Sequence, residues 1–357
     1  MRFFNTDKLT AIEAKQEAQK IAFAPFVFQA SKALRDLGIL EIVELAGNTG
    51  VTIEQILEKL TLTRYGVRVL VEAGLGIGLL IIKEDKYILT KLGYFILHDQ
   101  MTKVNMDFVH DVNYEGFFHF QECITSGKPV GLKELATDKP TVYEALATLP
   151  SKVKESWFNF DHFYSDAAFQ YVLPLVFKDK VKKVMDVGAN TGKWALKCTE
   201  YNPDITVTMC DLPGQLNVAL KNMESHGLSN RVSGHAINLL DPSTALPTGH
   251  DVIWMSQFLD CFSEEEIVMI LKKAADVMQE GDRLFILETY WDRQKFENAA
   301  FCLQQTSLYF TCIANGNSQM YHADVMHACI AKAGLKIVDE IDNLGISHTL
   351  TQCVKNN

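Results

Sequence analysis

Asp186-Val-Gly-Ala-Asn-Thr-Gly192 continues the apolar run Val184-Met185, and a second apolar run ends at Asp211. A short strand, a glycine turn opening a helix and a carboxylate closing the next strand are the parts with which a doubly wound sheet holds a ribosylated cofactor. Glycines let backbone approach the ligand, the helix N-terminus favours an anionic group, and a carboxylate accepts hydrogen bonds from both ribose hydroxyls. Spacing then narrows the ligand. A dinucleotide fingerprint wants glycines at 188, 190 and 193, where the chain has Gly188, Asn190 and Lys193. A Walker loop wants four residues between its glycines and Ser or Thr after its lysine, but Gly188 and Gly192 enclose three and Trp194 follows Lys193. What remains is Asp-x-Gly-x-x-x-Gly with an acid 23 residues after Gly188.

Ligands of an open parallel sheet sit at the carboxyl ends of its strands, which brings later residues into play. Asn238 ends the third expected strand, where a carboxamide can hydrogen-bond an adenine edge; taken alone it is a turn residue. Ser256-Gln-Phe-Leu-Asp-Cys-Phe262 leaves the fourth strand, and Ser263-Glu-Glu-Glu266 is a capping box for the next helix. Asp260 and Cys261 therefore lie in a loop over the reaction side, where Asp260 reads equally as a general base and as a solvated loop acid. Glu288, closing the fifth strand, is similarly placed. Asp211 also reads as the cap of the turn Leu212-Pro-Gly.

The elements that position these groups follow from periodicity. From Lys180 onward the pattern alternates strand and helix: Val184–Val187, Thr206–Cys210, Val232–Ile237, Asp251–Ser256 and Arg283–Glu288 read as five parallel strands. Leu335–Ile341 and Ser347–Val354 close as a hairpin across Asp342–Gly345. Upstream, helices are expected over Ala22–Leu37 (with Phe26, Ala30, Ala33, Leu34 and Leu37 inward), Thr52–Leu60 and Thr63–Gly74, followed by a hairpin with the charged tip Lys83-Glu-Asp-Lys86. Three helices and a hairpin suggest a winged-helix domain over 1–100. The stretch 101–180 is rich in aromatics (Phe108, Phe117, Phe118, Phe120, Trp157, Phe158, Phe160, Phe163, Tyr164) with His110, His119 and His162 among them. It reads as helical core joining two domains, or as the pocket wall for a flat aromatic substrate. The fold class is α/β, a Rossmann-like domain over 181–357 behind a mainly helical N-terminal domain.

Composition limits the function classes. With 48% apolar and 22% charged residues, the 357-residue chain buries sizeable cores and is long enough for two domains. A net charge of −10 opposes a nucleic-acid surface, and the expected recognition helix sets Glu72 beside Arg64 and Arg68. The eight cysteines form no C-x-x-C pair and no zinc spacing, so neither a disulfide framework nor a metal is expected, and reduced thiols fit the cytoplasm. The uncharged stretch from Ala73 to Ile82 is far short of the roughly 20 residues that span a bilayer, and the N-terminus lacks a signal-peptide core.

Along nearly its whole length the chain resembles the plant and bacterial S-adenosylmethionine (SAM) dependent O-methyltransferases with an N-terminal dimerisation domain. The segments that carry the resemblance are Leu37-Gly-Ile39, Tyr87-Ile-Leu-Thr-Lys-Leu-Gly93, Asp186–Gly192, Asp211-Leu-Pro213 and Asp251–Ser263. It implies a homodimer that methylates a phenolic hydroxyl of a small aromatic acceptor. It further implies a cofactor site lined by Asp186, Gly188, Asn190, Gly192, Asp211, Leu212, Asn238, Leu239, Ser256 and Gln257. The departures fall where chemistry happens. The family's usual His-Asp-Trp-Ser segment reads Asp260-Cys-Phe-Ser263, Asn238 replaces an acid, and Ser256 replaces a lysine. Asp260 is then the expected base, with Glu288 and His322 as substitutes and His119 and His162 as weaker ones. An ordinary carboxylate, with a pKa of about 4, is a weak base for a phenol near 10, so desolvation of Asp260 or an acidified phenol is required. Two alternatives accompany this reading: methylation of an aromatic carbon, and a SAM-binding partner or regulatory protein without methyl transfer.

Overall fold

The computed structural model describes residues 3–146 and 148–356. The chain divides into two compact units, Phe3–Val109 and the unit built on His110–Asn357.

The first unit holds helices α1 (Ala11–Ala22), α2 (Ala24–Asp36), α3 (Ile39–Leu45), α4 (Ile53–Leu57), α5 (Arg64–Ile77), α6 (Lys91–His98) and α7 (Gln100–Phe108), with strands β1 (Leu80–Lys83) and β2 (Lys86–Leu89). Local signals set the boundaries: Thr10 with Glu13 and Thr52 with Gln55 form capping boxes, and Gly38 at φ +80° separates α2 from α3. The β1–β2 hairpin turns through Glu84 and Asp85, both at positive φ. Leu34, Leu40, Val43, Ile56, Val67, Val71 and Leu80 form the core. Helices α1, α3 and α6 go beyond the three expected over residues 1–100. Phe26 and Leu37, expected inward, are exposed, because the buried stripe of α2 runs through Ser31, Lys32 and Leu34. The arginines of α5 are met by acids: Arg64 pairs with Glu54, and Arg68 Nε lies 3.1 Å from Glu72.

The second unit adds α8 (Phe120–Ser126), α9 (Val142–Ala145), α10 (Ser151–Val176), β3 (Lys183–Val187), α11 (Lys193–Tyr201), β4 (Thr206–Asp211), α12 (Pro213–Ser225), β5 (Val232–Ala236), β6 (Val252–Ser256), α13 (Glu264–Val277), β7 (Arg283–Glu288), α14 (Glu297–Tyr309), α15 (Ala323–Lys332), β8 (Leu335–Leu344) and β9 (His348–Lys355). The sheet order is β5-β4-β3-β6-β7-β9-β8. Strands β3 to β7 run parallel and β9 antiparallel to β7. The order reverses between β3 and β6, so the carboxyl end of β3 is the topological switch point where a ligand crevice opens.

Both faces of the sheet are covered, which explains why β3, β6 and β7 are almost wholly apolar. On one face α10, α11 and α12 pack Val172, Ala195 and Ala219 over Val184, Met209 and Trp254. Trp194 stacks on Trp254 at 3.8 Å between centroids, worth about 1 kcal/mol beyond area burial. On the other, α13 and α15 pack Ile267, Ile270 and Met326 over Met185, Ile253 and Ile286.

Candidate functional site

The turn after β3 is built on backbone that only certain residues tolerate. Gly188, Asn190 and Gly192 all have positive φ, at 77°, 51° and 80°. The structure gives the glycines a reason different from ligand access. A Cβ on Gly188 would lie 2.3 Å from Cδ2 of Phe258, whose ring covers that turn, and one on Gly192 would lie 3.1 Å from Met209 Sδ. Gly192 is the N-cap of α11.

Asn190 ties the turn to three neighbours. Its backbone N–H donates to Asp211 Oδ2 at 2.8 Å, and its side-chain Nδ2 donates to Asp161 Oδ2 on α10 at 3.0 Å. Its Oδ1 accepts from Gln215 Nε2 at 3.1 Å. Asp211 Oδ1 accepts the Leu212 N–H at 2.7 Å, so the aspartate is fixed by two backbone donors and keeps lone pairs for ribose hydroxyls. Burial raises the Asp211 carboxyl to about 6 against those two hydrogen bonds. Asp186 is 2% exposed with Oδ2 unpartnered, and burial together with Asp211 pushes it up to about 8. It is a buried acid beneath the turn.

Across the switch point, β6 ends at Ser256, and Gln257 follows it at φ +45°. Ser256 Oγ and Gln257 Oε1 are buried and have no partner among the described residues. Such orphaned polar atoms beside a glycine turn and a fixed aspartate fit an adenosyl ligand rich in donors and acceptors. Asn238 is exposed, and its Oδ1 accepts the Leu240 N–H at 3.0 Å in a local turn, while Leu239 is buried.

The loop after β6 carries Asp260 and Cys261. Glu288 Oε1 accepts the N–H groups of Phe258 at 2.9 Å and Leu259 at 2.8 Å, which pins this loop to the end of β7. Burial and the neighbouring Asp260 drive the Glu288 carboxyl well above the carboxylate range, which favours its neutral form, and its two hydrogen bonds clamp the loop. Asp260 is 5% exposed and pushed up to about 6 by burial. The Cys261 thiol points at Asp260 Oδ1 from 3.5 Å. Tyr143 on α9 and Tyr309 on α14 face the same place, each electrostatically coupled to Asp260 and Cys261. The Tyr309 hydroxyl accepts the Trp157 indole N–H at 2.7 Å, and the Tyr143 hydroxyl is buried beside the Cys261 thiol. A desolvated carboxylate among tyrosines and tryptophan can take a proton from an aromatic ligand.

The histidines sit elsewhere or are engaged. His322 is the N-cap of α15: its Nδ1 accepts the Asp324 N–H at 3.1 Å and its ring meets Trp291 edge-on at 5.0 Å. Its hydrogen bonds and ring contacts do not run to Asp260 or Glu288. His119 pairs with Glu134 at 2.9 Å. His162 stacks on Phe158 and is lowered to about 4 by burial and Lys193. Of the aromatic stretch, Trp157 reaches the site, whereas Phe118 is 86% exposed. Asp161, Tyr143, Gln215 and Phe258 had no sequence signal, since nothing in spacing links them to the turn.

Two families match this chain: the Dimerisation2-like domain over residues 15–87 and the O-methyltransferase domain over residues 164–336. The second covers the glycine turn, Asp211 and the Asp260 loop. The chain is a SAM-dependent methyltransferase. Its cofactor is SAM, and its class I fold is joined to an N-terminal winged-helix-type dimerisation module. The methyltransferase is 24% identical to the L-tyrosine C(3)-methyltransferase of Streptomyces lavendulae, matching 88% of this chain and 85% of that one. It is 31% identical to norreticuline-7-O-methyltransferase of Papaver somniferum over 34% of this chain and 31% of that one. It shares the fold of the methyltransferase SibL (TM-score 0.71, 23% identity, 96% and 99% covered). PigF, solved with SAH, the demethylated cofactor, also has this fold (TM-score 0.72, 17% identity, 97% and 100% covered). Among the described residues no His, Cys, Asp and Glu cluster could hold a metal ion, and no helix is long and apolar enough to cross a membrane.

Proposed function

We propose that this methyltransferase methylates the hydroxyl of a small phenol, with Asp260 taking the phenolic proton. The supporting observation is the buried Asp260 carboxylate facing Tyr143, Cys261 and Tyr309. SAM, when bound, supplies the electrophilic methyl group and leaves as a neutral thioether. The chain supplies position and proton transfer. Asp211 takes the ribose, the turn at 188–192 the amino-acid half, and Ser256 and Gln257 the adenine side, while Trp157 and the tyrosines orient a flat acceptor. A carboxyl at about 6 leaves a gap of about 4 units to an ordinary phenol, roughly 5 kcal/mol. An acceptor acidified by a conjugated carbonyl narrows that gap, which makes such phenols the preferred class.

A second reading places the methyl group on the ring carbon beside the hydroxyl. It draws support from the relative matched along most of both chains, a tyrosine C(3)-methyltransferase. Both readings begin with the same phenolate, so Asp260 serves either. Incubation with methyl-labelled SAM and a phenol panel, followed by product analysis, separates an aryl methyl ether from a ring-methylated phenol. SAM binding without turnover across the panel would instead favour a non-catalytic partner protein.

For the assembled state we infer a homodimer through the N-terminal unit, supported by the Dimerisation2-like match and by exposed Ile12, Ile21, Phe23 and Phe26 on and between α1 and α2. Light scattering tests it. Eight free cysteines, six of them fully buried, suit a reducing cytoplasm.

A further inference from the structure

Asp161 is a site carboxylate with fewer ties than Asp211 or Glu288. Asp211 is fixed by two backbone donors and Glu288 by the N–H groups of its clamped loop. Asp161 receives one neutral amide hydrogen bond, from Asn190 Nδ2 at 3.0 Å. The neighbouring cation is spent elsewhere: Lys193 Nζ lies 2.6 Å from Asp166 Oδ2. His162, with Nδ1 3.7 Å from Asp161 Oδ2, is held neutral. Asp161 is thus attached to the turn on one side and close enough to Asp260 on the other for their charges to repel.

We propose that Asp161 is a specificity-determining carboxylate that favours the cationic methyl donor over its demethylated product. The proposal rests on the methyltransferase reading. The donor carries a sulfonium charge that methyl transfer removes, and the two molecules otherwise share the adenosyl and amino-acid groups. A residue that discriminates between them must therefore present negative charge without a resident cation, close to the transferred methyl. Asp161 carries that charge while the nearest lysine, Lys193, is held by Asp166, and Asn190 fixes its direction at the glycine turn. The charges facing it are Asp260 from the loop after β6, Lys193 at the start of α11 and Asp166 on its own helix, with the Tyr309 hydroxyl opposite. Burial and Asp260 hold its carboxyl up at about 7. A sulfonium alongside favours the charged form and expels the proton, whereas the thioether does not. Donor binding then releases a proton, product binding releases less, and the spent cofactor leaves more readily.

Calorimetric titration of the full chain with SAM and with S-adenosylhomocysteine, at several pH values and in two buffers of different ionisation enthalpy, tests this without an acceptor. The wild type is expected to release more protons with SAM than with the thioether, and its SAM preference to grow between pH 6 and 7.5. Asp161→Asn is expected to lower SAM affinity about tenfold, leave the thioether within about threefold and flatten the pH dependence. Asp260→Asn is expected to keep most of the preference. Equal proton release for both ligands in the wild type overturns the proposal without any variant. So does an Asp161→Asn protein with the wild-type preference, or loss of preference in Asp260→Asn alone. Failure of both ligands to bind the wild type sinks the SAM reading itself, a distinct outcome.

Discussion

The Asn190 backbone N–H donates to Asp211 Oδ2 across 2.8 Å, joining the glycine turn of one strand to the acid that closes the next. The bond aims the carboxylate before any ligand arrives, so less ordering is required on binding. Asp211→Asn leaves one oxygen to accept, removes the charge and sets an NH2 group against a donor. SAM affinity is expected to fall by 10- to 100-fold, roughly 1.5–3 kcal/mol, by calorimetry.

Asp260 gives a pH signature. A base must be deprotonated, and its carboxyl is raised to about 6, so turnover is expected to rise through that pH and then level off. Asp260→Asn is expected to cost at least about 100-fold in kcat with SAM affinity little changed. A variant that keeps both rate and pH limb removes Asp260 from the reaction.

Glu288 separates clamping from catalysis. Glu288→Gln keeps an oxygen for the Phe258 and Leu259 N–H groups and replaces an acid whose neutral form burial favours, so stability is expected within about 1 kcal/mol of wild type. Glu288→Ala strands two buried donors, a loss of about 2–5 kcal/mol in urea unfolding. Equal destabilisation by both would contradict the clamp.

Gly188→Ala puts a Cβ 2.3 Å from Phe258 Cδ2 on a backbone at φ +77°. Left-handed strain of about 1–2 kcal/mol and overpacking of about 1–3 add together. Gly249→Ala, at φ +83° with nothing within 4 Å, carries the strain alone. Thermal unfolding is expected to rank Gly188→Ala well below Gly249→Ala, with SAM binding lost only in the former.

Asp186 sets a slope of stability against pH. Its folded carboxyl sits at about 8, above the unfolded value near 4, so between those values the folded state binds the extra proton and stability falls as pH rises. Asp186→Asn is expected to flatten the decline of the melting temperature between pH 5 and 8. An unchanged slope would show that Asp186 is ionised in the fold.

What was legible in the sequence was local. The strands, the capping box at Ser263 and the turn at 188–192 all rest on neighbours within a few residues, where φ preference, alternation and side-chain reach act directly. Spacing excluded the dinucleotide and Walker loops, and the SAM reading came from the resemblance that the turn at 186–192 and Asp211 carry, two segments whose separation a βαβ unit fixes.

Tertiary structure decided what each acid does. Glu288 and Asp260 look alike in sequence, but only packing makes one a clamp on the other's loop. Asp161 meets Asn190 from 29 residues away, and Phe258 covers Gly188 from 70 away, contacts that no pattern in the chain encodes. Burial and the company of other charges set proton affinity, and both are created when distant segments close around the end of the sheet.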